Sequence, residues 1–167
     1  LESLVNLCDT GAGNRVMVSK TLKHKPIVTI TGSNNFVYVG KGCKLLGLKI
    51  KVAGNNNYVY IGDKVTTNGE NRFFVGIGSD EAPTGVVINE DVMFASNVTI
   101  RNTDAHPIFE RGSLSITNNP TNPVVIGKHT WIGESSIILK GVRIPSCSIV
   151  SAGGVMNRGV SEPSVIF

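Results

Sequence analysis

The sequence predicts an all-β protein built as a parallel β-helix, and three observations carry that prediction. In the stretch VVIGKHTWIGESSIILKGVRIPSCSIVSAGGVM, the residues Ile126, Ile132, Ile138, Ile144, Val150 and Met156 recur at a strict interval of six. The position four further on is Thr130, Ser136, Val142, Ser148 or Gly154, none larger than valine. Aromatic residues make up only 6% of the chain while glycine occurs 19 times, as suits a prism lined with aliphatics and turned at tight corners. A helix needs apolar residues at steps of three and four, and a simple strand needs alternation; neither gives a period of six. Three short strands of about six residues with their corners close one triangular coil, and the next coil stacks on it at about 4.8 Å. One coil alone cannot bury its inner face, so stacking supplies the core.

A chain of 167 residues suits one domain with a sizeable core. It holds no apolar run of membrane-spanning length and no signal peptide with a basic start and apolar middle. The three cysteines, Cys8, Cys43 and Cys147, form no CxxC pair, and their odd number argues against a complete disulfide framework. Free thiols and a cytoplasmic location are the expectation. The chain begins at Leu1 and stops at Phe167 in mid-pattern, as expected of a segment trimmed at both ends. The formal net charge is +4, with lysines gathered in SKTLKHK and KGCKLLGLKIK. These read as solvated faces or as an attraction for an anionic polymer or the phosphates of a nucleotide cofactor. Nothing alternates aromatic and basic residues as a nucleic-acid surface does, so no nucleic-acid partner is expected.

In chain order, residues 1 to 25 form an N-terminal segment that is either irregular or an imperfect first coil, and residues 26 to 167 form the β-helix domain. SNNFVYVGKG (33 to 42) and GNNNYVYIGD (54 to 63) are near copies 22 residues apart, which reads as one 18-residue coil plus a small insertion. Asparagines at corners followed by alternating aromatic and aliphatic residues fit stacked strands and turns, with ladders of like residues on successive coils. The next coil, around NGENRFFVGIGSD, carries the loop EAPTG. The six-period returns at Ile88, Phe94 and Ile100, with companions Val92, Val98 and Asp104. Continued further, the phase puts His106 inside the prism, where an imidazole needs a buried partner. Pro107 follows at once and the phase resumes only at Ile126, 20 residues on rather than 18. The chain is therefore expected to leave the prism and to make one long protruding loop over about residues 107–123. A histidine at the base of such a loop is well placed for function.

VVIGKHTWIGESSIILKGVRI followed by IVSAGGVMNR resembles the hexapeptide-repeat acyltransferases, and FASNVTIRNTDAHPIFERG resembles their O-acetyltransferase branch, which takes in galactoside, maltose and capsular polysaccharide enzymes. The resemblance covers roughly residues 58 to 167 and, more weakly, 26 to 57. Its most specific parts are the His-Pro pair before the loop, the WIG after it and the SAG two coils on. It implies a left-handed prism, an exception to the right-handed crossover rule. It also implies a homotrimer with acetyl-CoA as co-substrate in the grooves between prisms. SEPSVIF resembles the start of the family's closing segment but lacks the glycine-proline-alanine turn that follows, so contacts from that turn are absent or removed.

Acetyl transfer from a thioester to a sugar hydroxyl needs a base for the hydroxyl proton and donors for the developing oxyanion. His106 matches the family's catalytic histidine and is the candidate base, against a bland reading as a turn-capping loop residue. Trp131, the only tryptophan, matches one that borders the active site, and is otherwise an anchor in the trimer interface. Cofactor-binding candidates are Gly133, Ala152, Asn157 and Arg158, Arg158 because a guanidinium suits phosphate; the family often has threonine-lysine where this chain has Asn157-Arg158. Ordinary coil architecture would also explain all four. Acceptor-side candidates are Asn71, Arg72, Asp80 and Asp104, with Asp104 alternatively a capped corner. His129 reads as an outward surface residue and His24 carries no motif; the three histidines do not reproduce the ligand spacing of the related β-helix carbonic anhydrases, so no metal is expected.

The reading is an acetyl-CoA-dependent O-acetyltransferase acting on a carbohydrate; the string NTDAHPIFERG and the basic charge favour a bacterial surface or capsular polysaccharide, with an anionic capsule as one such acceptor. An N-acetyltransferase of an amino sugar or antibiotic, and a non-catalytic β-helix used as a structural or binding module, are the alternatives.

Overall fold

The computed structural model describes residues 4–76, 78, 82–118 and 122–166. Among these residues every regular element is a strand, nineteen in all, and no helix is long and apolar enough to cross a membrane. Strands pair in parallel with those one coil above and below, giving sheets of seven, six and six strands. These sheets are the three faces of a left-handed parallel β-helix. Face I stacks Asn6–Asp9, Ile27–Thr31, Leu48–Ala53, Asn71–Gly76, Thr99–Arg101, Ile137–Ile138 and Val155–Met156. Face II stacks Arg15–Val18, Phe36–Val39, Asn57–Ile61, Thr84–Ile88, Val124–Ile126 and Arg143–Ile144. Face III stacks Lys44–Leu45, Thr66–Thr67, Met93–Phe94, Trp131–Ile132, Ile149–Val150 and Val165–Ile166.

The six-residue period is the inward-facing set. Ile126, Ile132, Ile138, Ile144, Val150 and Met156 are buried, as are Thr130, Ser136, Val142 and Ser148 at the companion position. The companions are small because they sit where the chain turns, and their hydroxyls tie corners together. The Ser136 hydroxyl donates to the carbonyls of Gly133 (2.8 Å) and Ser151 (3.0 Å). Near the C-terminal end, Trp131 pairs with Ile149 and Ile137 with Val155, each 18 positions on. Near the N-terminal end, Phe36 pairs with Tyr58, 22 positions on. The extra residues are not an insertion beside an 18-residue coil; they lengthen the strands, so that Leu48–Ala53 turns Leu48, Ile50 and Val52 inward.

Residues 6–18 contribute strands in the same register, Asn6–Asp9 on Ile27–Ile30 and Arg15–Val18 on Phe36–Val39. The expected ladder of like residues is present at the edge between faces I and II. The Asn57 amide donates to Asn35 Oδ1 (3.0 Å) and the Asn35 amide to Asn14 Oδ1 (3.1 Å). At the edge between faces II and III, Lys64, Asp91, His129 and Cys147 all adopt positive φ, between 53° and 60°. Each amide there donates to a carbonyl of the coil below, so the coil-to-coil bonds hold four non-glycine residues in the left-handed region.

Candidate active site

After Thr99–Arg101 on face I the chain holds the prism for two more residues. Asn102 and Thr103 are buried, Asn102 Oδ1 accepts from the Gly76 amide at 2.9 Å, and Thr103 Oγ1 accepts from the Ala105 amide at 3.0 Å. Ala105 then adopts φ 63°, and this turn throws His106 outward instead of continuing the inward phase. His106 is exposed. Residues 107–118 fold back as a short antiparallel ribbon, with the Thr117 amide donating to the Ile108 carbonyl (2.8 Å) and the Glu110 amide to the Ser115 carbonyl (2.9 Å). Glu110 accepts from the Ser113 hydroxyl.

The ribbon is closed at its base by one side chain. Asn118 Oδ1 accepts from the Ile108 amide (2.7 Å), while its amide donates to the His106 carbonyl (2.8 Å) and to Asp104 Oδ2 (2.9 Å). Both amide hydrogens are thereby used. Lys140, one coil further on, pairs with Asp104 and donates to the Asn118 carbonyl at 3.1 Å. The Lys140 ammonium, then the Asn118 amide, hold the Asp104 carboxyl below the usual carboxylate range. Asp104 thus ties the exposed loop to the prism and leaves the inward companion position of its hexad.

The chain brings the sequence-predicted residues to two separate regions. Register places Met156 over Ile138 and Ile138 over Ile100, so Asn157 and Arg158 stand on the same edge as His106, two coils on. At coil spacing that is about 10 Å along the axis. Both are exposed. Trp131 opens a face III strand between Met93 and Ile149, 49% exposed, and within one chain the strand Val124–Ile126 of face II separates it from His106. Gly133 and Ala152 stack on each other at the edge between faces III and I. A Cβ on Gly133 would meet the Ala152 nitrogen at 2.5 Å, so coil stacking by itself demands glycine there.

Of the acceptor-side residues, Asn71 requires a correction. Its side chain is fully buried, with Oδ1 accepting from the Val98 amide at 2.8 Å and the amide donating to the Asn68 carbonyl. It is a rung inside the prism and lines no groove, because Phe73, two positions on, must also face inward. Arg72 does point outward and pairs with Glu70 (2.7 Å). Asp80 lies outside the described residues. His129 is exposed with Nδ1 2.7 Å from Asp91 Oδ2, as an outward corner residue should be, and His24 is an exposed residue at φ 62°. Sequence reasoning missed Asn118 and Lys140: Asn118 lies in the loop outside any motif, Lys140 is an outward position of the six-residue repeat, and each acts across the loop.

No protein-family profile matches the chain. The polysialic acid O-acetyltransferase of Neisseria meningitidis is 32% identical over 149 residues, covering 80% of this chain and 69% of the relative. The chain belongs to the hexapeptide-repeat O-acetyltransferases. The galactoside O-acetyltransferase of Lactococcus lactis is 32% identical over 88 residues, but these are 50% of this chain and 40% of that protein. Among solved structures, the polysialic-acid-specific acetyltransferase NeuO superposes with a TM-score of 0.62 at 26% identity, over 95% of this chain and 80% of that one. The polysialic acid O-acetyltransferase OatWY gives 0.63 at 26%, over 94% and 82%. This O-acetyltransferase therefore shares with both an architecture that runs nearly its whole length.

Proposed function

We propose that this acyltransferase moves an acetyl group from acetyl-CoA to a hydroxyl of a bacterial surface or capsular polysaccharide, with His106 as the general base. The observation that carries the reading is the exposed imidazole at the Ala105 turn, whose own backbone carbonyl is gripped by Asn118. A neutral imidazole takes the acceptor hydroxyl's proton as oxygen attacks the thioester carbon, and returns it to the departing thiolate. The Asn118 bond fixes the main chain at position 106 and leaves the ring free to meet substrate. Arg158, exposed on the same edge, suits the nucleotide phosphates of acetyl-CoA, and Asn157 stands beside it.

A homotrimer completes this site. One copy supplies the His106 edge; a neighbour supplies face III, where Trp131 packs the pantetheine arm or the sugar and Gly133 and Ala152 border the groove. The free thiols fit a reducing cytoplasm, where we place the reaction. The activities named for the meningococcal relative and for both solved structures support a polysaccharide acceptor.

The test is transfer of labelled acetyl from acetyl-CoA to a panel of capsular polysaccharides and monosaccharides. Label on a polysaccharide that mild alkali releases is the expected ester. Label that resists alkali marks an amide and replaces this reading with N-acetylation; no transfer to any carbohydrate removes it.

A further inference from the structure

The outer side of face I below His106 carries a basic trough with an aromatic floor. Two columns of outward residues run along it in register. One is Thr29, Lys51, Phe74 and Arg101; the other is Ile27, Lys49, Arg72 and Thr99. Two cavities, of about 330 Å³ and 210 Å³, share Lys51 and Phe74 in their walls and so form one depression. At its upper end the wall is Thr103 and Ala105, the residue before His106. Over three coil spacings the trough is about 14 Å long, room for a short run of sugars instead of a single one.

Charge along the trough is unbalanced. Glu70 accepts from both Lys49 (3.1 Å) and Arg72 (2.7 Å), and this shared carboxylate is itself held below its usual range by them, Lys49 first. Asp104, near the upper end, is taken by Lys140 and Asn118. Among the described residues neither Lys51 nor Arg101 has an ion-pair partner. The Arg101 guanidinium carbon lies over the Phe74 ring, 5.1 Å from its centre. Its Nε is buried yet makes no hydrogen bond. A buried donor without an acceptor is costly, and because this one is covered the guanidinium meets an anionic ligand through its terminal N–H groups, which no carboxylate among the described residues pairs. The small residues Ala53 and Gly76 flank these cations and leave the depression open. Face II, by contrast, is the aromatic outer face, with Tyr38 stacked on Tyr60 at 5.0 Å. Contact between copies suits that face better than a trough with two unpaired cations.

We infer that this trough is an extended acceptor subsite that holds a carboxylate-bearing polysaccharide by its charges, with Lys51 and Arg101 as anion contacts and Phe74 as the surface under the sugar rings. The chain then leads from the trough past Ala105 to the imidazole, so units bound along face I present the next unit for acetylation. The inference rests on the carbohydrate acceptor proposed above, and binding and transfer are separable in its test.

Binding is read by retardation of the full chain in native gels containing polysialic acid, polygalacturonate, uncharged dextran or single-stranded DNA. Wild type should be retarded by at least one of the two polycarboxylates and not by dextran. A Lys51→Gln/Arg101→Gln double variant should lose that retardation, and Lys51→Arg/Arg101→Lys, which keeps both charges, should regain it. In transfer assays, the ratio of kcat/KM for the long polycarboxylate chain to that for its dimer should fall about tenfold or more in the Gln variant. Equal retardation of the Gln variant and wild type overturns the inference, as does an unchanged ratio, retardation by neither polycarboxylate, or equal retardation by DNA. Binding that is lost in the Gln variant while wild type transfers no acetyl would leave the subsite standing and remove the proposed function. Transfer confined to neutral polysaccharides would do the reverse.

Discussion

The side-chain amide of Asn118 donates to the carbonyl oxygen of His106 at 2.8 Å, so the returning end of the loop grips the backbone of the residue that its departure exposes. The same side chain holds Asp104 and Ile108. Asn118→Ala removes all three bonds while leaving the prism intact, because its partners lie outside the core. Loss of a positioning group costs rate by misplacing the base, so kcat should fall about ten- to a hundredfold. Steady-state kinetics beside hydrogen exchange at the Ile108 amide would check it: faster exchange and lower kcat should appear together, with the thermal midpoint almost unmoved.

Asp104 gives the loop base a pH dependence whose sign is fixed. Its folded-state pKa is depressed, chiefly by Lys140 and then by Asn118. The contribution of the pair is therefore fully present above the ordinary aspartate value of about 3.9 and is lost as pH falls through the depressed one. Protection of the Ile108 and Thr117 amides should weaken below about pH 4. Asp104→Asn should abolish that dependence. Because the pair is exposed, the effect on global stability should be small.

Inside the prism, Asn57 accepts from the Gly78 amide (2.8 Å) and donates to Asn35 Oδ1 and the Asn55 carbonyl (both 3.0 Å). Asn57→Ala strands buried polar groups on neighbouring coils, which should cost about 1–3 kcal/mol. For a chain of this size the thermal midpoint should drop by about 2–4 °C for each kcal/mol. Calorimetry of the two proteins measures it, and Asn56→Ala is not a substitute because Asn56 sits at φ 54°.

The three thiols should separate by burial. Cys43 is buried, its Sγ donates to the Gly62 carbonyl at 3.1 Å, and desolvation raises its pKa. Cys8 and Cys147 are exposed. A thiol reagent at neutral pH should modify two sites in the native protein and the third only on unfolding, as read by mass spectrometry.

The prism was legible because each 18-residue coil gives one inward aliphatic per face, a period that no helix or single strand produces. The exposed position of His106 was legible for a related reason: the phase would bury an imidazole, and Pro107 and the shifted restart at Ile126 say that the chain leaves first. Asn71 was misread as groove-lining although its signal was present. The strings Asn35-Phe36-Val37, Asn57-Tyr58-Val59 and Asn71-Arg72-Phe73 share one alternation, and inward Val37, Val59 and Phe73 carry each asparagine inward with them. Asn118 and Lys140 were beyond reach, since their contacts form only after the loop has returned, and the width of the early coils was hidden by strands that lengthen without changing their alternation. The trough was equally illegible, because Lys51, Phe74 and Arg101 become neighbours only through coil register.

The most direct measurement is kcat for acetyl transfer to polysaccharide by His106→Ala beside wild type, with the thermal midpoint of each as control. The ring is exposed and supports no core contact, so the midpoints should agree. Removal of the general base should lower kcat by about 10²- to 10⁴-fold. A variant that folds and transfers acetyl within about twofold of wild type would contradict the account, because an effect that small leaves no general-base contribution to assign.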